Sequence, residues 1–209
     1  MKTFWLLAYL VNYILLIIFG VKKMRDGSFA TKVLLAPILL LFYLAGNRAP
    51  EIPVIFALSF CLLGDILLEY PHFFLPGLLS FWVGHVFYGI CFLSDIASVS
   101  LLPWWIYLFA LLYAAGGIAL CTRLTIPDKK KKAAVSIYCA IILFVSFLSL
   151  LRAGSVTGYS FWMVFVGTLF FITSDSILAY NRFQKRTRNG TIWVMATYGI
   201  AQLMIILGL

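Results

Sequence analysis

Residues 52–69 read IPVIFALSFCLLGDILLE, and from Ile52 to Leu68 the only ionisable group is Asp65. As a helix this run is about 26 Å long, close to the roughly 30 Å hydrocarbon core of a bilayer. It has no polar face to turn toward water. Seven more runs of the same character lie at Phe4–Val21, Thr31–Ala45, Phe73–Leu93, Pro103–Leu120, Ala133–Leu151, Tyr159–Ala179 and Thr191–Leu209. None alternates polar and apolar residues as a barrel strand does. Charged clusters and Gly27, Pro50, Pro71, Pro127, Gly158 and Gly190 separate them, as helix breaks require. The pattern predicts an all-α, polytopic bundle of eight transmembrane helices, a single domain over residues 1–209, with the second helix short.

Composition agrees. The chain has 209 residues, 64% hydrophobic and 11% charged, with a mean hydropathy of +1.04. A soluble domain runs about 45–50% apolar and about 25% charged. The length leaves no room for a soluble domain beside the spans, which excludes nucleic-acid-binding domains, secreted disulfide modules and Rossmann enzymes. Cys61, Cys91, Cys121 and Cys139 are scattered through the spans without metal or disulfide spacing. The first run is longer than a signal-peptide core, lacks a small-residue cleavage site and has Lys22–Arg25 downstream, so it reads as a helix that stays.

The net charge of +9 is sorted by topology. Thirteen of the sixteen basic residues fall in odd-numbered connections: Lys22, Lys23, Arg25 and Lys32 at the first; Arg123 and Lys129, Lys130, Lys131 and Lys132 at the fifth; Arg182, Lys185, Arg186 and Arg188 at the seventh. The other side holds Lys2, Arg48 and Arg152. The positive-inside rule then puts the odd connections in the cytoplasm and both termini outside a cell membrane, with anionic lipid as the partner of the basic loops. No nucleic-acid partner is implied, and oligomeric state is left open.

An internal repeat is visible at an offset of 110. Phe60-Cys61-Leu62-Leu63-Gly64-Asp65 with Leu68 and Tyr70 lies over Phe170-Phe171-Ile172-Thr173-Ser174-Asp175 with Leu178 and Tyr180, and Tyr88-Gly89-Ile90 echoes Tyr198-Gly199-Ile200. An even number of helices separates the copies, so two halves, about 1–101 and 102–209, share one orientation.

An ionisable side chain in hydrocarbon costs about 2.5–3.5 kcal/mol or more. Asp65, His85 and Asp175 are the three that lie clearly inside spans. Asp65 and Asp175 come out at nearly equal depth, a few residues before the cytoplasmic ends of helices three and seven. His85 enters from the same side, roughly 13 Å along helix four. The three are expected to converge on one pocket. Asn12 reads as interhelical glue. Two aspartates and a histidine on three helices lack metal-motif spacing, and neither metal nor cofactor is assigned. A close carboxyl pair leaves one group protonated and one ionised, so one donates a proton while the other stabilises a cation or positions water. A vinyl ether poses that problem: protonate carbon, stabilise the oxocarbenium, add water. Apolar Leu63 and Ile66 weigh slightly toward Asp65 as the acid, and Ser174 toward an ionised Asp175.

Leu63-Gly64-Asp65-Ile66-Leu67-Leu68, Gly84-His85-Val86-Phe87-Tyr88 and Ser174-Asp175-Ser176-Ile177-Leu178-Ala179 with Asn181-Arg182-Phe183 resemble the lysoplasmalogenase (YhhN-like) family over essentially the whole chain. The resemblance implies a hydrolase acting on an ether bond. Its reaction cleaves the vinyl ether of lysoplasmalogen to a fatty aldehyde and a glycerophospho-base. It also implies a lysophospholipid substrate, with Asp65, Asp175 and His85 catalytic and Tyr88, Asn181, Arg182 and Lys32 binding substrate. The family's proline after the lysine comes later here, at Pro37. Two other readings compete. A proton-coupled transporter or lipid flippase would suit the repeat, although no half-helix is broken near either aspartate. An intramembrane aspartyl protease would need Gly at 62, where Leu62 stands.

Overall fold

The structure is a computed structural model that describes residues 1–97, 102, 104–185 and 187–209, and of Trp105 the backbone alone. Arg186 and Pro103, the expected start of the fifth span, lie outside the described residues. Eight helices account for nearly all of the rest: α1 Lys2–Val21, α2 Arg25–Gly46, α3 Ile52–Glu69, α4 Phe74–Ser94, α5 Trp105–Arg123, α6 Lys129–Leu151, α7 Gly158–Phe183 and α8 Gly190–Gly208. A 3-10 turn, Pro71–Phe73, joins α3 to α4. All eight are long and apolar enough to cross a membrane, and no strand occurs among the described residues. The protein is a multi-pass, all-helical membrane protein.

The helix starts follow local chemistry. Pro53 sits in the first turn of α3, where its missing N–H costs nothing. Asp128 caps α6, its carboxylate accepting from the amides of Lys130 at 2.9 Å and Lys131 at 3.3 Å. Thr157 caps α7 through the amide of Ser160. Two helices extend well beyond their apolar runs. α2 begins at Arg25 instead of Thr31, so it is 22 residues long, not short, and Gly27 lies within it instead of breaking the chain. α7 continues through Asn181 and Arg182 to Phe183. Both helices carry charged side chains on a turn that is still helical, which hydropathy alone reads as loop.

Consecutive helices pair closely in the sets α1–α2, α3–α4 and α7–α8; α4 also packs on α6, and α2 and α1 on α8. Glycine allows the closest approach. A Cβ on Gly64 would lie 2.4 Å from the Phe81 ring, and one on Gly199 2.4 Å from the Tyr13 ring, so an aromatic ring of α4 packs on the α3 backbone and one of α1 on the α8 backbone. Tyr9, Leu16, Leu39, Leu58, Phe92 and Ile205 lie in one continuous core. Asn12 donates to the carbonyl of Thr31 at 2.8 Å, joining α1 to α2. α5 is the least embedded, with Leu108, Leu111, Leu112 and Ile118 facing outward, as a lipid-exposed helix permits.

The end of the bundle away from the basic connections is closed by Arg152, which is 1% exposed. Its guanidinium pairs with Asp95 at 2.8 Å, donates to Ser160 Oγ at 2.9 Å and lies over the Phe92 ring. Ser160 in turn donates to the carbonyl of Gly208. Arg152 thus ties α4, α6, α7 and α8 together, and it is not the surface charge that its place in an even connection suggests.

Candidate functional site

Three helix ends bring charge to one place. α3 carries Asp65 one turn before its end, α7 carries Asp175 two turns before its end, and α2 carries Lys32 two turns after its start. All three side chains line one cleft of about 680 Å³, its open mouth included, at the basic end of the bundle. The rest of the lining is mainly apolar, with Leu78, Val135, Leu178 and Val194 among it, and Arg182 and Phe183 complete it. Below it, Leu124 and Ile126 from the α5–α6 connection pack with Phe74 and Val135.

Asp65 is 1% exposed. Its Oδ1 faces Lys32 Nζ at 3.1 Å as an ion pair, outside the angle of a hydrogen bond, and its Oδ2 accepts from the Tyr198 hydroxyl at 2.7 Å. Lys32 is therefore a partner of a buried carboxylate, not a loop cation of the first connection. Asp175 is half-buried, and its Oδ2 accepts from the Tyr138 hydroxyl. Among the described residues it has no cation within ion-pairing distance. Ser174 does not support it: that hydroxyl donates to the carbonyl of Val194 at 3.1 Å, stitching α7 to α8.

Arg182 stands on the cleft with its guanidinium 4.5 Å from the centre of the Phe74 ring. Phe74 also meets Phe183 edge to face, with ring centroids 5.7 Å apart. A cation held by an aromatic face and not by a carboxylate keeps its hydrogen-bond donors for an anion.

The remaining expected residues sit elsewhere. His85 does not reach the two carboxylates. It lines a second, smaller cavity of about 220 Å³ with Tyr88, Phe92, Thr168 and Phe171. Its Nδ1 lies 2.8 Å from the carbonyl of Phe81, and its ring meets Phe171 at 4.4 Å and Tyr138 at 5.7 Å between centroids. One layer of aromatic rings thus separates His85 from the cleft. The helical rise gives a depth but not a direction, and the side chain points to the neighbouring cavity. Tyr88 is buried in that same cavity and donates to Gln202 Oε1 at 2.8 Å. Asn181 faces away from the cleft. Its Oδ1 accepts from the amide and hydroxyl of Thr187, at 3.0 and 2.9 Å, and Gly190 packs against it so tightly that a Cβ there would lie 2.1 Å from Nδ2. It fastens the α7–α8 connection.

Three residues of the site carry no motif signal: Tyr138, Tyr198 and Gln202. Gln202 is 1% exposed and donates to the Tyr198 oxygen at 3.3 Å. Tyr198 was visible only as the repeat counterpart of Tyr88. Tyr138 is one tyrosine in an otherwise unremarked helix.

An apolar cleft holding two carboxyls, a lysine and a guanidinium with no carboxylate partner among the described residues suits an amphiphile with an anionic head and chemistry that moves protons. Neither the curated proteins nor the solved structures yield a match to this chain. The model of the YhhN family matches residues 27–209, a stretch that contains every residue of the cleft, and the chain belongs to that family, the lysoplasmalogenase family.

Proposed function

We propose that this protein is a membrane-embedded hydrolase that cleaves the vinyl ether bond of lysoplasmalogen, releasing a fatty aldehyde and a glycerophospho-base. The observation that carries this reading is that Asp65 and Asp175, from different helices, share one apolar cleft with Lys32 and Arg182. The head-group phosphate binds Arg182 at the mouth, where the guanidinium fork matches phosphate oxygens. The glycerol then reaches inward, and the vinyl ether lies beside the carboxyls. One carboxyl protonates the alkene carbon distal to oxygen; the other stabilises the oxocarbenium and takes a proton from the water that adds. The hemiacetal collapses as its hydroxyl loses a proton to one carboxyl and the ether oxygen gains one from the other. The products are aldehyde and alcohol, and both carboxyls return to their starting states. His85 acts behind this pair, holding Tyr138 in place. Tyr88 and Asn181 support the fold around the cleft, not the substrate.

The basic connections face the cytoplasm and both termini lie outside in this reading, with a single domain built from two parallel halves. Helix packing supports the repeat: α2 lies against α8 as its counterpart α6 lies against α4.

Purified protein in detergent, given lysoplasmalogen, tests the reaction. Aldehyde release without any sealed compartment is expected. Substrate movement across vesicles with no aldehyde would replace the hydrolase by a transporter.

A further inference from the structure

Behind the cleft a line of buried polar groups runs from α4 to α3. Tyr88 donates to Gln202 Oε1 at 2.8 Å, Gln202 Nε2 donates to the Tyr198 oxygen at 3.3 Å, and Tyr198 donates to Asp65 Oδ2 at 2.7 Å. Tyr88, Gln202 and Asp65 are each 1% exposed and Tyr198 4%. Four groups buried in the middle of an apolar bundle are expensive unless each is satisfied.

Tyr88 has no acceptor but Gln202 among the described residues, so its proton goes to Oε1, Nε2 turns to the Tyr198 oxygen, and the Tyr198 proton goes to Asp65 Oδ2. With Oδ2 accepting, the charge of Asp65 is decided at Oδ1. Lys32, 3.1 Å from Oδ1 and 20% exposed, keeps Asp65 ionised, because beside a neutral acid its ammonium would face the apolar cleft uncompensated. Asp175 is the opposite case. Among the described residues it has one neutral hydroxyl partner, at Oδ2, which leaves Oδ1 to carry a proton. The nearest arginine of the cleft, Arg182, is held over Phe74. With Asp65 charged, Lys32 charged and Asp175 neutral, the three have no net charge, the state an apolar cleft favours.

We propose that Gln202 is a positioning residue that fixes the sense of this chain, making Asp65 the charged carboxylate of the pair and Asp175 its proton donor. The inference rests on the hydrolase reading and divides its labour. Asp175 gives its proton to the alkene carbon. Water adds to the oxocarbenium and loses a proton to Asp65. The hemiacetal hydroxyl then returns a proton to Asp175 as Asp65 protonates the departing ether oxygen, so both residues end as they began. The slight preference of the sequence for Asp65 as the acid is reversed, because Leu63 and Ile66 do not face this carboxyl alone: Lys32 and Tyr198 do.

Infrared spectroscopy of the purified full-length protein in lipid nanodiscs reads the division without substrate. The other five acidic side chains, Asp26, Glu51, Glu69, Asp95 and Asp128, lie at helix ends or in connections and outside the cleft. One carboxylic-acid carbonyl band, shifted by deuterium oxide, is expected; it should vanish in Asp175→Asn and persist in Asp65→Asn. The reverse pattern, or no such band in wild type, overturns the proposal.

Kinetics test Gln202. Gln202→Met keeps the volume and removes both hydrogen bonds, and is expected to lower kcat about tenfold with KM within about twofold, the scale of one or two buried hydrogen bonds. In a Tyr198→Phe background the same change should have no further effect, since Gln202 acts through that hydroxyl. Independent, multiplying losses would make Gln202 mere packing and refute its role. If Gln202→Met does not fold, Tyr88→Phe, which removes one oxygen, is read in its place with the same expectations. Should wild type release no aldehyde while the acid band still follows Asp175, the hydrolase reading fails and the division of charge stands.

Discussion

Replacing Lys32 with Met removes the only cation paired with Asp65 among the described residues, at a separation of 3.1 Å. Coulomb's law at an effective dielectric of 20 gives about 5 kcal/mol for unit charges at that distance. The net figure is smaller. The Lys32 side chain is 20% exposed against 1% for Asp65, so solvent already screens one partner, and an orphaned Asp65 escapes part of the cost by taking up a proton. Breaking a buried pair costs about 3–5 kcal/mol, and the lower end, about 3 kcal/mol, applies. For a chain of this length that is a fall in Tm of about 6–12 °C. Met keeps the length of the side chain, so lost packing contributes little. The decisive variant is Lys32→Met with Asp65→Asn. Neutralising both partners removes the unpaired charge and leaves the Tyr198 contact a partner, so the double variant should recover most of the loss. Thermal unfolding of the four proteins in one detergent, followed by circular dichroism, gives the cycle, with an expected coupling of about 2–3 kcal/mol. Additive single effects, within about 0.5 kcal/mol, would refute the ion pair as an energetic unit and return Lys32 to the surface charges.

At the other end of the bundle, Arg152→Met is expected to destabilise by about 2–3 kcal/mol, since it strands Asp95 and the Ser160 contact. Arg48→Ala, on an exposed residue of the same set of connections, should stay within about 0.5 kcal/mol; equal melting of the two variants would refute the tie through Arg152. Asn181→Leu should cost about 1–2 kcal/mol of stability through its two lost hydrogen bonds to Thr187, while Arg182→Ala should chiefly raise KM. A KM rise in Asn181→Leu as large as in Arg182→Ala, with unchanged melting, would put Asn181 on the substrate.

The fold was legible because a bilayer imposes its own length. Eight apolar runs became eight helices, with ends shifted by only a few residues except where charge sits on helix. Those exceptions matter most. Arg182 lies on a helical turn beyond the apolar run of α7 and Lys32 at the very start of that of α2, and both were sorted with the cations of the connections. Arg152 was sorted with the topological charges because a sequence shows which connection holds a residue, not which way its side chain turns. Asp65 and Asp175 stood out because a carboxyl within hydrocarbon needs a reason, and both line the cleft. His85 stood out for the same reason and reached a different cavity; depth follows from rise per residue, but direction depends on which faces of α4, α6 and α7 meet. Tyr138 and Gln202 were illegible, and Tyr198 showed only as an echo of Tyr88. An uncharged side chain in an aromatic-rich span is cheap enough to need no explanation, and only the partner across the helix interface reveals its use.

The central claim is that the two aspartates perform the chemistry, and aldehyde release by Asp65→Asn and Asp175→Asn, each purified and shown to melt as a folded protein, tests it most directly. Asparagine keeps the shape and the contacts to Tyr198 and Tyr138 and removes the proton transfer. Each substitution should lower kcat for lysoplasmalogen by about 10²-fold or more. Two folded variants that release aldehyde at nearly the wild-type rate would contradict the account and leave the pair as a polar contact between helices.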